Sequence, residues 1–365
     1  MAFSIVLRGL GTLPITNMEL FTHKRIHELL MTASRPVFVS DERIDGDSLG
    51  AALAMVSFMK QQGKFVEVFV AEAVPEQYRS LPHIDHCTTN LSVFENDAID
   101  LVVVFDCSDA AFVSGLVSKI PSSPTVINID HHKTNSRYGH VNQVLVDAPA
   151  TAEVVFRFFE ANHVIPSKDA STCLLTGLCF DTNAFSNSGT NERALDVASQ
   201  LILNGARVQD VIRTMFHNRS ISALRVWGAA LERLADYPTM NLVTTCLTRK
   251  DIEDNHVSDD EIDGLSNFLN LVTDTDTLFV LRETKEGGIK VSMRSRTQDV
   301  SAIAHAHGGG GHAKAAGFTI LNASLLEHES VWCIHHAQEI KHIEHVIRFQ
   351  EFLSPNKMSS NLPKH

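Results

Sequence analysis

The sequence predicts an α/β protein of two domains, the larger of them organised on a parallel sheet. Three observations lead there. The chain has 365 residues and a mass of 40.3 kDa, more than one hydrophobic core usually supports, since cores stop growing at roughly 250–300 residues. From Arg35 onward, short β-branched runs alternate with longer helical stretches, the pattern of strands covered on both faces by helices. Each strong apolar run also ends in acidic residues or histidine, at the place where open parallel sheets gather their ligands.

The elements follow in chain order. Residues 1–19 read as an N-terminal leader, in which Arg8 is the one early cation and no cleavage pattern follows the apolar patch. A first domain over 20–216 contains the strands PVFVS (36–40), FVEVFVA (65–71), LVVVFD (101–106) and TVINI (125–129), with helices at LGAALAMVSFMKQQG (49–63) and AAFVSGLVSKI (110–120). Helices then dominate, at 151–164, 169–180 and 193–205. Residues 217–239 are expected to be a helical connection, because SALRVWGAALERLADYP (222–238) carries no chemical motif and stops at Pro238. A smaller α/β domain over 240–348 opens with the strand NLVTTCLT (241–248), and TLFVLRET (277–284) and IKVSMRS (289–295) flank Gly287-Gly288 as a hairpin. The stretch from Leu325 to Phe352 reads as helix, with His335, His336, His342 and His345 on a solvated face, and 349–365 as a polar tail.

Composition narrows the function. A hydrophobic share of 44% with 20% charged residues is that of an ordinary globular protein. The net charge of -12 argues against a long duplex partner, whose binding rests on Lys and Arg neutralising phosphates; a small nucleotide or very short oligomer remains open, as does a homodimer. No run reaches the roughly 18 apolar residues of a membrane span. The six cysteines are scattered, without a C-x-x-C pair, and read as reduced core residues, which favours the cytoplasm.

Four ionisable clusters carry the chemistry: Asp41, Asp45 and Asp47 in DERIDGD; Asp106 and Asp109 in DCSD; Asp130, His131 and His132 in DHH; and Asp181 in DTNAF. Taken singly, each has a plain reading, as a turn, a helix cap or a loop histidine. Taken together, they should converge at the carboxyl ends of the strands, where carboxylates repel and lose hydration unless a cation compensates. Oxygen ligands with one or two imidazoles suit manganese or magnesium. So many candidates suit two metals rather than one.

The segment SMRSRTQDVSAIAHAHGGGGHAKAAGF (292–318) holds four consecutive glycines followed by His312. Such a run needs unusual φ freedom or close approach at Gly308, Gly309, Gly310 and Gly311, as in a backbone cradle for phosphate. Arg294 and Arg296, at the end of a predicted strand, are placed to fork onto phosphate oxygens; exposed edge charges are the structural alternative.

DERIDGDSLGAALA, VVVFDCSD, NIDHHKTN, TGLCFDTNAFSNSGT and the glycine-rich segment, in this order over Arg35 to Ile320, resemble the DHH phosphoesterase family with its DHH-associated C-terminal domain. The layout is most similar to the nano-RNase (oligoribonuclease) and PAP phosphatase branch, with a RecJ-like catalytic domain. The resemblance implies a DHH catalytic domain over 20–216, a DHH-associated substrate-binding domain over 240–348, and an active site in the cleft between them. It implies a manganese-dependent phosphoesterase using two ions, with magnesium as the alternative. Its substrates would be short oligoribonucleotides such as dinucleotides, or the 3'-phosphate of phosphoadenosine phosphate. Asp45 and Asp106 would hold one metal, and Asp47, Asp106 and His131 the other. Asp181 would complete the pair, with Asp106 as bridge. Catalysis would rest on Asp106 and on His132 facing the scissile phosphate, with Asp130 behind them orienting an imidazole. Arg294, Gly309, Gly310, Gly311 and His312 would grip the nucleotide.

One position departs from the family pattern: Asp41 stands where the first motif usually begins with His, and a carboxylate there can serve as a hard ligand in its place. Three rival readings share the same parts: an inorganic pyrophosphatase, a cyclic-di-AMP phosphodiesterase, and a non-catalytic nucleotide sensor with a degenerate metal site.

Overall fold

The computed structural model describes residues 15–187, 189–216, 220–328, 331–336 and 347–348, with the backbone alone at 260, 331, 336, 347 and 348. Two compact units divide the chain, Met1–Asn218 and Arg219–His365.

In unit 1 the strands β1 (Pro36–Val39), β2 (Glu67–Phe69), β3 (Cys87–Thr88), β4 (Leu101–Phe105), β5 (Thr125–Asp130) and β6 (Val141–Val144) form one sheet in the order β3-β2-β1-β4-β5-β6. Every pairing in it is parallel. Strand alternation divides the apolar side chains between two cores. Phe38, Val103, Phe105, Ile127 and Ile129 enter one, and Val37, Val39, Val102, Val104 and Val126 the other. The helices are α1 (Asn17–Thr32), α2 (Gly46–Gln61), α3 (Ala110–Val117), α4 (Thr151–Ala161), α5 (Lys168–Asp181), α6 (Glu192–Leu203) and α7 (Val208–Phe216). Only α3 serves the second core, and the others build the first. Because the strand order reverses between β1 and β4, their carboxyl ends mark the point where such sheets hold ligands.

Unit 2 runs α8 (Ile221–Glu232), β7 (Ala235–Tyr237), β8 (Leu242–Leu247), α9 (Arg249–Asp254), α10 (Asp259–Ile262), α11 (Leu265–Val272), β9 (Thr277–Glu283), β10 (Gly288–Ser295), α12 (Val300–Ala306), β11 (Gly310–His312) and β12 (Ala315–Leu321). Its sheet has the order β11-β12-β10-β9-β8-β7, parallel only between β8 and β9. Val226, Trp227, Ile252, Leu265 and Leu269 pack the helices α8 to α11 on one face; Val300 and Ala304 of α12 close the other. The strands β13 (Ala323–His328), β14 (Val331–His336) and β15 (Ile347–Arg348) make a separate antiparallel sheet.

Three segments differ from the sequence expectation. The helix expected to connect the domains lies in the core of unit 2 and ends at Glu232; Ala235–Tyr237 beyond it pairs with β8 as a strand. The described part of Leu325–Phe352 is strand rather than helix, because Leu325 and Ile334 are buried and opposed across a hairpin ladder; His342, His345 and the tail 349–365 lie outside the described residues. The expected leader over 1–19 overlaps α1, which begins at Asn17 with Thr16 as its cap; residues 1–14 lie outside the described residues. No helix of the described residues is long and apolar enough to cross a membrane.

Candidate metal centre

The loops after β1, β4 and β5 and the end of α5 deliver the ionisable clusters to one place. Among the described residues, two groups of donor atoms lie within 4.8 Å of one another: Asp106, Asp130, His131 and His132, and Asp47, His131 and Asp181. His131 belongs to both. Its Nδ1–H donates to Ala148 O at 3.1 Å. Its Nε2 is buried without a hydrogen-bond partner, although Asp181 Oδ2 is 3.1 Å away and Asp106 Oδ1 3.6 Å. Set between two carboxylates, this ring nitrogen has the geometry of a ligand atom that shares a cation with them, and the ring is oriented by a carbonyl at its other nitrogen as metal-binding histidines usually are.

Asp47 is fully buried on the first turn of α2 and accepts from the first amides of α4, Thr151 N–H at 2.6 Å and Ala152 N–H at 2.9 Å. The space for it comes from Gly177 of α5, where a Cβ would stand 2.6 Å from Asp47 Oδ1. Asp106 follows β4 with a left-handed φ of +61°, a strain of about 1–2 kcal/mol for a residue with a Cβ, and its Oδ1 accepts from Thr151 Oγ1 at 2.8 Å. Asp130 Oδ1 accepts from the backbone N–H groups of His131 and His132 and, at 2.8 Å, from His132 Nδ1; its Oδ2 accepts from Asn135 Nδ2 at 2.5 Å. The His132 ring is therefore held by Asp130 through its Nδ1.

Electrostatics bind these groups together. Burial, then the charge of Asp181, holds the Asp47 carboxyl well above the usual range; burial, then Asp47, does the same for Asp106. Burial and Asp181 push Asp45 up to about 6 against its bonds to Ser48. Burial pushes the His131 imidazole down, but Asp181 and Asp47 outweigh it and hold it at about 9. Burial would also raise Asp130, yet its bonds from His132 and Asn135 keep it below the usual range. Buried together, these carboxylates call for positive charge among them.

The remaining predicted residues are placed as follows. Asp45 caps its own helix, its Oδ1 accepting from Asp47 N–H and Ser48 N–H at 3.0 and 2.8 Å, and it lies in neither tight group while sharing their field. Asp41 also lies in neither; it accepts from Arg43 N–H at 3.2 Å and stands beside the buried Cys107 thiol, which burial and then Asp41 raise to about 12. Asp109 is a helix cap, accepting from Ala111 N–H and Phe112 N–H. Thr151, Asn135 and the Ala148 carbonyl were not legible as site parts. A threonine at the first position of a helix, with alanine at the cap, was the one available signal.

In unit 2 the four glycines have separate reasons. Gly308, at φ +73°, ends α12 with a Schellman cap, its N–H reaching His305 O and that of Gly309 reaching Ala304 O. Gly309 and Gly311 press on β12, where added Cβ atoms would sit 2.2 Å from Gly317 O and 2.5 Å from Ala316 Cα. Their close approach is thus to the protein's own strand, whereas a Cβ at Gly310 would meet only the His305 ring, at 3.8 Å. Register sets Arg294, Ala315 and His312 in one row across three strands, with Ser292, Gly317 and Gly310 in the next. Arg294 Nε donates to Asn267 Oδ1 at 2.9 Å. Arg296 lies past the end of β10, its guanidinium on the O of Thr273, the C-cap of α11, and near Asp274.

Comparisons with known proteins bear on both units. Residues 36–178 match the family model for the DHH family, N-terminal domain, and residues 240–329 the DHHA1 domain. The bifunctional oligoribonuclease and PAP phosphatase NrnA of Thermus thermophilus is 31% identical over 304 residues, covering 82% of this chain and 89% of that one. The protein of the same description from Bacillus subtilis is 21% identical over 285 residues, covering 76% and 87%. Among solved structures, an exopolyphosphatase-related protein from Bacteroides fragilis superposes with a TM-score of 0.76 at 24% identity, covering 84% of this chain and 92% of that one.

Proposed function

The chain belongs to the DHH family of phosphoesterases, and from that premise we propose that it hydrolyses short oligoribonucleotides, dinucleotides in particular, and the 3'-phosphate of phosphoadenosine phosphate. The relative from Thermus thermophilus, bifunctional in name and alike over 89% of its length, supports this pairing of substrates. The observation that carries the chemistry is the buried His131 Nε2, unbonded between Asp106 and Asp181 in a cluster of carboxylates that burial keeps from ionising together.

The donor set fits hard divalent cations, and we assign Asp45, Asp47, Asp106, His131 and Asp181 to two manganese ions; Asp41 is assigned to neither. Such ions supply Lewis acidity at the phosphoryl group and make a water acidic enough to attack near neutral pH. The chain's own contribution is orientation and proton handling. Asp130 accepts from His132 Nδ1 and so fixes the ring, from which His132 would deliver a proton to the leaving oxygen. Arg294 and His312, in one register row, would hold the nucleotide. Six free cysteines without a disulfide suit a cytoplasmic enzyme.

The test is a manganese-supplemented assay of the purified chain against a diribonucleotide, longer RNA, phosphoadenosine phosphate, cyclic di-AMP and pyrophosphate. Release from the diribonucleotide and from phosphoadenosine phosphate, abolished in Asp106→Ala, is expected. Turnover of cyclic di-AMP or pyrophosphate alone would overturn the assignment, as would no turnover of any member.

A further inference from the structure

We propose that Thr151 is a positioning residue of the centre, holding the Asp106 carboxylate in register with the other ligands through a hydroxyl that its own helix does not use. The inference rests on the metal-centre reading above.

Thr151 is the first residue of α4, after Ala150, which has no side chain with which to cap the helix. A threonine near a helix start normally serves at the cap, accepting from amides one turn on. Here the capping acceptor comes from another helix: Asp47 takes the amides of Thr151 and Ala152. The Thr151 hydroxyl is thereby free of capping, and it donates instead to Asp106 Oδ1 at 2.8 Å. That oxygen is the one near both imidazoles, 3.5 Å from His132 Nδ1 and 3.6 Å from His131 Nε2. One residue therefore touches both carboxylates most central to the cluster, Asp47 by its amide and Asp106 by its hydroxyl.

Asp106 needs such a partner. Its backbone is left-handed and its side chain almost fully buried, and no Lys or Arg forms an ion pair with it among the described residues. Thr151 is itself fully buried, so a water is poorly placed to replace the hydroxyl. Partners that orient ligating carboxylates typically change metal affinity by about 10–100-fold when removed.

The experiment compares wild type, Thr151→Val, which keeps the shape and removes the hydroxyl, and Thr151→Ser, which keeps the hydroxyl and removes the methyl. Each full-length, chelator-treated protein is titrated with Mn2+ by calorimetry, and kcat and KM are measured on a diribonucleotide at saturating Mn2+. The expected result is a Kd for Mn2+ weakened about 10–100-fold in Thr151→Val, a lowered kcat with KM unchanged, and rescue of both by Thr151→Ser. Wild-type Mn2+ affinity in Thr151→Val overturns the inference, as does equal loss in both variants, which marks a packing role. Should Thr151→Val not fold, Thr151→Ser against Thr151→Ala decides on the same readouts. Failure of the wild type itself to bind Mn2+ overturns the metal-centre reading, and this inference with it.

Discussion

His131 Nε2 and Asp181 Oδ2 face each other at 3.1 Å without forming a hydrogen bond. A ring nitrogen and a carboxylate oxygen held this close in a buried site suit a shared cation, which competes with protons for the same atoms. Mn2+ binding at pH 7 should therefore displace protons, visible as a binding enthalpy that changes with the ionisation enthalpy of the buffer. Asp181→Asn should weaken Mn2+ by at least 10-fold and reduce the proton release. A buffer-independent enthalpy would contradict this account.

The same charges set a pH dependence of stability. Asp45 at about 6 and His131 at about 9 both lie above their unfolded values of 3.8 and 6.5. For a raised pKa, stability is fully present below the unfolded value and is lost as pH rises through the folded one. The metal-free protein should then melt lower as pH rises from about 6.5 to about 9, above the range where His23, buried and held down at about 3, gains stability with pH and opposes Asp45. Mn2+ should flatten that decline, since binding grows stronger as the ligands lose protons. Calorimetric scans with chelator and with Mn2+ measure it; parallel profiles would refute it.

Asp130 accepts from the His132 ring and from the backbone N–H groups of His131 and His132, which is the basis for the proposed role of orienting His132 rather than holding a metal. Asp130→Asn keeps the shape but loses the fixed ring orientation, so kcat should fall about 10–100-fold with little change in KM. Mn2+ affinity should change less than in Asp181→Asn. The comparison needs only steady-state kinetics and two titrations, and a KM effect without a kcat effect would reassign Asp130.

A separate prediction concerns stability alone. Lys64 Nζ donates to three carbonyls at the end of α1, those of Leu30, Met31 and Ala33, at 2.9, 2.5 and 2.7 Å. Lys64→Met retains the apolar stem and removes the cationic cap, which should cost about 1–2 kcal/mol in urea unfolding. Activity should not change, because these carbonyls precede β1 whereas the ligands follow its other end.

Much of unit 1 was legible because its signals are local. The division of Val37 and Val39 to one core and Phe38 to the other follows from strand periodicity, and the acidic residues at the ends of β1, β4 and β5 lie where a parallel sheet must place them. What escaped reading depends on long-range geometry. Nothing near Thr151 in sequence reveals a bond to Asp106, and a carbonyl such as that of Ala148 has no residue signature. The glycine run misled for a related reason: its tight contacts are with Gly317 and Ala316 of the following strand, which a linear reading cannot tell from contacts with a ligand. Near the C-terminus, His335 and Glu327 masked the alternation of Leu325 and Ile334 that makes strands there.

The all-parallel sheet of unit 1 has a kinetic consequence. Parallel neighbours are never joined by a tight hairpin, so the loops after β1, β4 and β5 meet the end of α5 only once distant parts of the chain have docked. The centre is then expected to form late in folding, after the transition state. Divalent ions should leave the refolding rate almost untouched and slow unfolding instead, acting as a latch on a structure already built.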